Sequence, residues 1–129
     1  QSRNICENFL SKNKLNKSDY EDVLNAIENH DKKEYLNTKL TDKLLLILSA
    51  ADDLDAFGYI GIYRYIEIYL ARGIQPGKLG QMARDNAEKR FKNFSLNFTR
   101  YPKLVRKHKA RYMLLNEFFK GFCKELDSN

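Results

Sequence analysis

No stretch of this chain alternates apolar and polar residues with the two-residue period of a half-buried strand. Apolar side chains recur three and four positions apart instead, which places them on one face of a helix. Little interrupts that spacing, because the 129 residues contain only two prolines and six glycines. The expected fold class is therefore all-α, a bundle of five to six helices. With 43% hydrophobic and 31% charged residues the chain can bury a core, and residues 1–129 are expected to form a single helical domain. Cys6 and Cys123 stand at opposite ends with no CxxC spacing, which favours free thiols and a cytoplasmic protein. No apolar run approaches the roughly eighteen residues of a transmembrane helix, so no membrane partner is expected.

The first helix is read over residues 2–12. It opens without a turn or cap before it, which raises the expectation of a missing upstream segment. The second starts at Ser18 with the capping box SDYE, in which Glu21 reaches back to the Ser18 amide. Tyr20, Val23, Leu24 and Ile27 form its buried face, continued by His30. A polar linker, DKKEYLNTK, leads to a third helix from about Thr41, apolar over most of its circumference through Leu44, Leu45, Ile47, Leu48 and Ala51. The fourth, GYIGIYRYIEIYLARG, is apolar nearly all round and is expected at the centre of the bundle. A fifth helix turns Leu79, Met82, Ala83, Arg90, Phe91 and Phe94 inward. A sixth, from about Thr99 past Phe122, carries Tyr101, Leu104, Val105, His108, Tyr112, Leu115 and Phe119 on one stripe.

The third helix ends in three carboxylates, Asp52, Asp53 and Asp55, where the helix macrodipole disfavours negative charge. Asp52 lies four residues after Leu48 and seven after Leu45 and so is expected to point inward, with Asp55 one turn further on the same side. Asp53 is expected to face solvent. An inward carboxylate costs several kcal/mol unless a cation or metal neutralises it. Asp52 and Asp55 together with His30 have the donor types of a divalent metal site. The plainer alternatives are turn-forming surface acids and a core histidine. His108, between Leu104 and Tyr112, reads as core. There is no phosphate-binding glycine loop, no Ser/His/Asp set and no zinc-type cysteine pattern.

The segment AADDLDAFGYIGIYR resembles a segment of the HD-domain metal-dependent phosphohydrolases, through its spaced acids, Gly58, Gly61 and Arg64. An Ile27…His30 element about twenty residues upstream and the basic last helix, ending EFFKGF and KEL, extend the likeness over most of the chain. The resemblance implies an HD-like fold and hydrolysis of a phosphate ester in a small, nucleotide-like substrate. It makes Asp52 the late metal-ligating acid and His30 a further site histidine, the two catalytic and metal-binding candidates. It places Asp55 behind them, paired with Arg64 or orienting a ligand, and implies a divalent ion (manganese, magnesium, iron, nickel or zinc). Lys103, Arg106 and Lys107 are then expected to meet substrate phosphate. The family's early His and its adjacent His-Asp pair have no counterpart here. His30-Asp31 lies only 21 residues before Asp52, and Ala50 replaces the pattern's first acid. The chain is therefore expected to be the C-terminal portion of an HD domain, inactive alone, with upstream helices absent.

The net charge of +6 is unevenly spread: residues 88–111 hold nine Lys or Arg and one acid. A basic half can be a solvated helix face or hold an anion. The rival function is accordingly a non-catalytic helical module that binds nucleic acid or protein through that half.

Overall fold

Helical spacing in the sequence becomes six helices, with no strand among the described residues: α1 (Ser2–Lys12), α2 (Lys17–Asn29), α3 (Lys43–Asp55), α4 (Gly58–Ala71), α5 (Pro76–Asn97) and α6 (Pro102–Asp127). The structure is a computed structural model that describes residues 1–30 and 42–128. The DKKEYLNTK linker, Asp31 and the expected helix start at Thr41 lie outside the described residues. The chain divides into two compact units, Gln1–Asp52 and Asp53–Asn129.

In the first unit α1 packs on α2 with little apolar burial; no α1 residue is buried, and α2 buries Tyr20, Leu24 and Ala26. Charge joins the pair. The Arg3 guanidinium donates to Glu21 (3.0 Å), Glu28 (2.9 Å) and Asn25 Oδ1 (3.2 Å), residues spaced along one face of α2. Lys17 pairs with Glu7 at 3.1 Å. The SDYE capping box does not form: Asn16 is the N-cap, with no side-chain cap bond, and Ser18 lies inside the first turn. Glu21 bonds Arg3 instead, since a bond to a guanidinium outweighs one to a neutral amide. The N-terminus of α3 is capped by Asp42, whose carboxylate accepts from the amides of Leu44 (2.9 Å) and Leu45 (3.0 Å).

The second unit is built on α5 and α6, which run antiparallel along their lengths. Arg84 bonds Asn116 (2.9 Å), Phe91 stacks on Tyr112 with centroids 4.8 Å apart, and Phe94 meets His108 edge-on. A Cβ placed at Gly80 would run into Cys123 Sγ, so this glycine is what lets the two helices close at that level. The core gathers Phe57, Ile62, Tyr65, Tyr69, Leu79, Ala83, Ala87, Leu115 and Phe119. Complete burial of its phenylalanines and leucines is worth roughly 1.5–3 kcal/mol each.

α4 is not the central helix. It buries Gly61, Ile62, Tyr65 and Tyr69 against the α5–α6 pair and leaves Tyr59, Ile60, Tyr63 and Leu70 exposed. Its contact runs along one line of the helix, so apolar residues off that line stay outside. Met82 and Tyr101 are exposed as well. Tyr101 precedes α6, which Pro102 opens, and so never joins the helical stripe.

Candidate functional site

The segment that carries the resemblance, AADDLDAFGYIGIYR, folds as the corner between α3 and α4. Its polar groups are taken up one by one. Asp53 is 2% exposed and is the inward carboxylate of the triplet. Its Oδ2 accepts from Asn93 Nδ2 at 2.7 Å and its Oδ1 from Arg90 Nη1 at 3.2 Å. This reverses the expectation that Asp53 faces solvent. The leucines of α3 are a poor guide to its buried side, because Leu45 and Leu48 are only half-buried. The buried line runs instead through Ser49, Ala50 and Asp53.

Behind Asp53 the network continues. Arg90 Nε donates to Asn86 Oδ1 (2.9 Å), which also accepts from the Tyr65 hydroxyl (2.8 Å). Asn97 Nδ2 donates to the backbone and side-chain oxygens of Asn93. Asp53, α4 and α5 are thus tied by a buried run of matched donors and acceptors, with the cation of Arg90 opposite the buried Asp53 carboxylate. Composition signals such a run only weakly, as polar residues one turn from Phe91 and Phe94. Arg90 was expected inside; Asn86, Asn93 and Asn97 were not.

Asp55, expected on the inward side, is exposed instead and pairs with Arg64 at 2.9 Å. Phe57, fully buried, turns the chain from α3 into α4, and its carbonyl accepts from Arg111 Nη2 at 2.8 Å. Gly58 follows with φ +72°, a left-handed conformation costly for any residue with a Cβ. A Cβ at Gly61 would strike the Ala56 carbonyl. The motif's glycines and arginine therefore have local structural work in forming the corner.

The two metal candidates lie in the first unit. Asp52 is half-buried. His30 is the C-cap of α2, half-buried, with Nδ1 2.7 Å from the Ile27 carbonyl. A carbonyl only accepts, so Nδ1 carries the proton and Nε2 the lone pair of the neutral ring, the arrangement of a backbone-oriented histidine ligand. Carboxylate and imidazole are donor types that suit the expected ions. The number falls short: among the described residues no group of three or more His, Cys, Asp or Glu could hold a metal.

Lys103, Arg106 and Lys107 stand exposed on the first two turns of α6. His108, in the same stretch, is buried as expected of a core residue. Burial lowers its pKa below the usual histidine value, and the Arg111 and Lys107 cations add to this. Its Nδ1 lies 3.2 Å from Arg111 Nη1, a contact in which the neutral ring accepts. No helix among the described residues is long and apolar enough to cross a membrane. Comparison of the chain with protein-family models, curated proteins and solved structures gives no match.

Proposed function

We propose that this chain is part of a metal-dependent phosphohydrolase of the HD type, acting on a phosphate ester of nucleotide-like size, with Asp52 and His30 among its metal ligands. The observation that carries the reading is the division of labour in the acidic triplet. Asp53 and Asp55 each serve the α3–α4 corner, through Arg90 and Arg64. Asp52, the half-buried acid of the same segment, is the one that the resemblance assigns to the metal. His30, whose Nδ1 lies 2.7 Å from the Ile27 carbonyl, is the second donor that the resemblance suggests. A divalent ion held by such donors lowers the pKa of a bound water and polarises a phosphoryl oxygen. Two donors leave most of a coordination shell of about four to six ligands unfilled, so binding by these residues alone is weak.

The test compares Asp52→Ala with Asp53→Ala, in the 129-residue chain and in the longest natural polypeptide that contains it. Manganese binding is followed by electron paramagnetic resonance, and phosphate release from a nitrophenyl phosphodiester is followed by absorbance. Asp52→Ala is expected to keep the helical circular dichroism and to lose manganese binding and metal-dependent release. Asp53→Ala is expected to lose stability first. Equal manganese binding by parent and Asp52→Ala, or release that survives Asp52→Ala, overturns the reading.

A further inference from the structure

The basic run has a shape as well as a charge. Where α5 ends and α6 begins, Ser95, Thr99, Pro102, Val105, Arg106 and Lys109 line an open groove of about 370 Å³. That is near the lower end of the volumes that receive small ligands. Arg106 and Lys109 line it, Arg100, Lys103 and Lys107 are exposed in the same stretch of chain, and none of the five makes an ion pair among the described residues. No acid occurs between Lys89 and Arg111.

This arrangement works against the helix that carries it. Lys103 and Lys107 are four residues apart, and Arg106 is three from both Lys103 and Lys109, spacings at which like charges repel. The cations also occupy the N-terminal turns of α6, the positive end of the helix dipole, with no acid in the first turn. A bound polyanion relieves both penalties at once, and nothing else among the described residues does.

An aromatic side chain stands at the same place. Tyr101, one residue before Pro102, is 60% exposed, with its ring centroid 6.1 Å from that of Phe98. A ring held beside a cationic groove is what a nucleic-acid base stacks on while its phosphates meet Arg and Lys. A lipid surface asks for protruding aliphatic side chains, whereas the groove's apolar members, Pro102 and Val105, form its floor and wall. A duplex keeps its bases stacked on one another and gains little from Tyr101.

From this we infer that the second unit binds single-stranded nucleic acid along the α5–α6 groove, with phosphates on Lys103, Arg106 and Lys109 and a base on Tyr101. The groove uses neither metal candidate, although Lys103 and Arg106 are also the cations that the resemblance assigns to substrate phosphate, so Asp52→Ala is expected to leave binding unchanged. The experiment is fluorescence anisotropy of the 129-residue chain with a labelled twelve-nucleotide oligouridine, a duplex of equal length and phosphatidylserine vesicles. With about three phosphates neutralised, affinity for the single strand should fall about twentyfold between 50 and 200 mM salt. Tyr101→Ala should weaken it at least about fivefold at unchanged salt dependence, and Tyr101→Phe should restore it. Arg106→Glu with Lys109→Glu should nearly abolish binding. These surface residues leave the core intact, which circular dichroism verifies. Equal affinity for duplex or vesicles, or indifference to Tyr101→Ala, reduces the groove to a generic cationic or membrane-facing surface and overturns the proposal; so does absence of binding.

Discussion

Asp53 and Asp55 are two residues apart and both face an arginine, yet their surroundings predict opposite sensitivities to mutation. Asp53 is enclosed, and Asp53→Ala removes a carboxylate that the mostly buried Arg90 guanidinium bonds at 3.2 Å. Loss of one partner of a buried pair typically costs about 3–5 kcal/mol, so chemical denaturation should show a large drop in midpoint. Asp55 and Arg64 share their charge with solvent, and Asp55→Ala should cost less than about 1 kcal/mol. The same measurement on both variants decides whether the triplet is divided as described. His108 adds a dependence on pH. Its folded pKa lies below the unfolded value of about 6.5, so the unfolded chain binds the proton more readily. The stabilisation is complete above that pH, falls as the pH drops through it, and levels off below the folded pKa. An NMR titration of the His108 ring should give a midpoint under the ordinary value, and His108→Gln should flatten this part of the stability profile. An inward acid in the DDLD segment was legible from the sequence, because α3 is too apolar to end in acids by propensity. Its identity was not, since the buried line of α3 follows Ser49 and Ala50 rather than the leucines.

At the scale of elements, helix spans were readable where apolar spacing and breakers agree, as α1 falls on the expected residues 2–12. α5 starts at Pro76, inside the IQPGKLG stretch that reads as a turn, and α6 at Pro102 rather than near Thr99, because a proline opens a helix as readily as it ends one. Caps and partnerships were less readable, because they depend on side chains from distant positions. Glu21 left its capping box for Arg3, and the apolar circumference of α4 did not make it central. The α3–α4 corner is the element most exposed to small changes. Gly58→Ala should cost about 1–2 kcal/mol for its left-handed backbone alone. Gly61→Ala should cost about 1–3 kcal/mol, because the added methyl displaces the Ala56 carbonyl or the Leu115 side chain. Gly121, in α6 with nothing near its would-be Cβ, is the control: Gly121→Ala should stabilise by about 0.5–1 kcal/mol. Thermal melts of the three variants test the corner against helix propensity.

Across the whole molecule the two units are held by different forces. The α1–α2 pair relies on Arg3 and Lys17 ion pairs at the surface, and the second unit on a buried aromatic and aliphatic core. Hydrogen exchange should therefore be much slower in α5 and α6 than in α1, and added salt should speed exchange in α1 while leaving α5 and α6 nearly unchanged. The charge asymmetry was fully legible in the sequence; its convergence on one groove was not, because that needs the turn between α5 and α6. The close approach at Gly80 has a consequence in time. Cys123 Sγ, half-buried, fills the space that glycine leaves, so a bulky thiol reagent should reach it more readily when α5 and α6 part. The rate of Cys123 labelling thus becomes a clock for that opening, ticking faster in any variant that loosens the second unit and reporting it without denaturant.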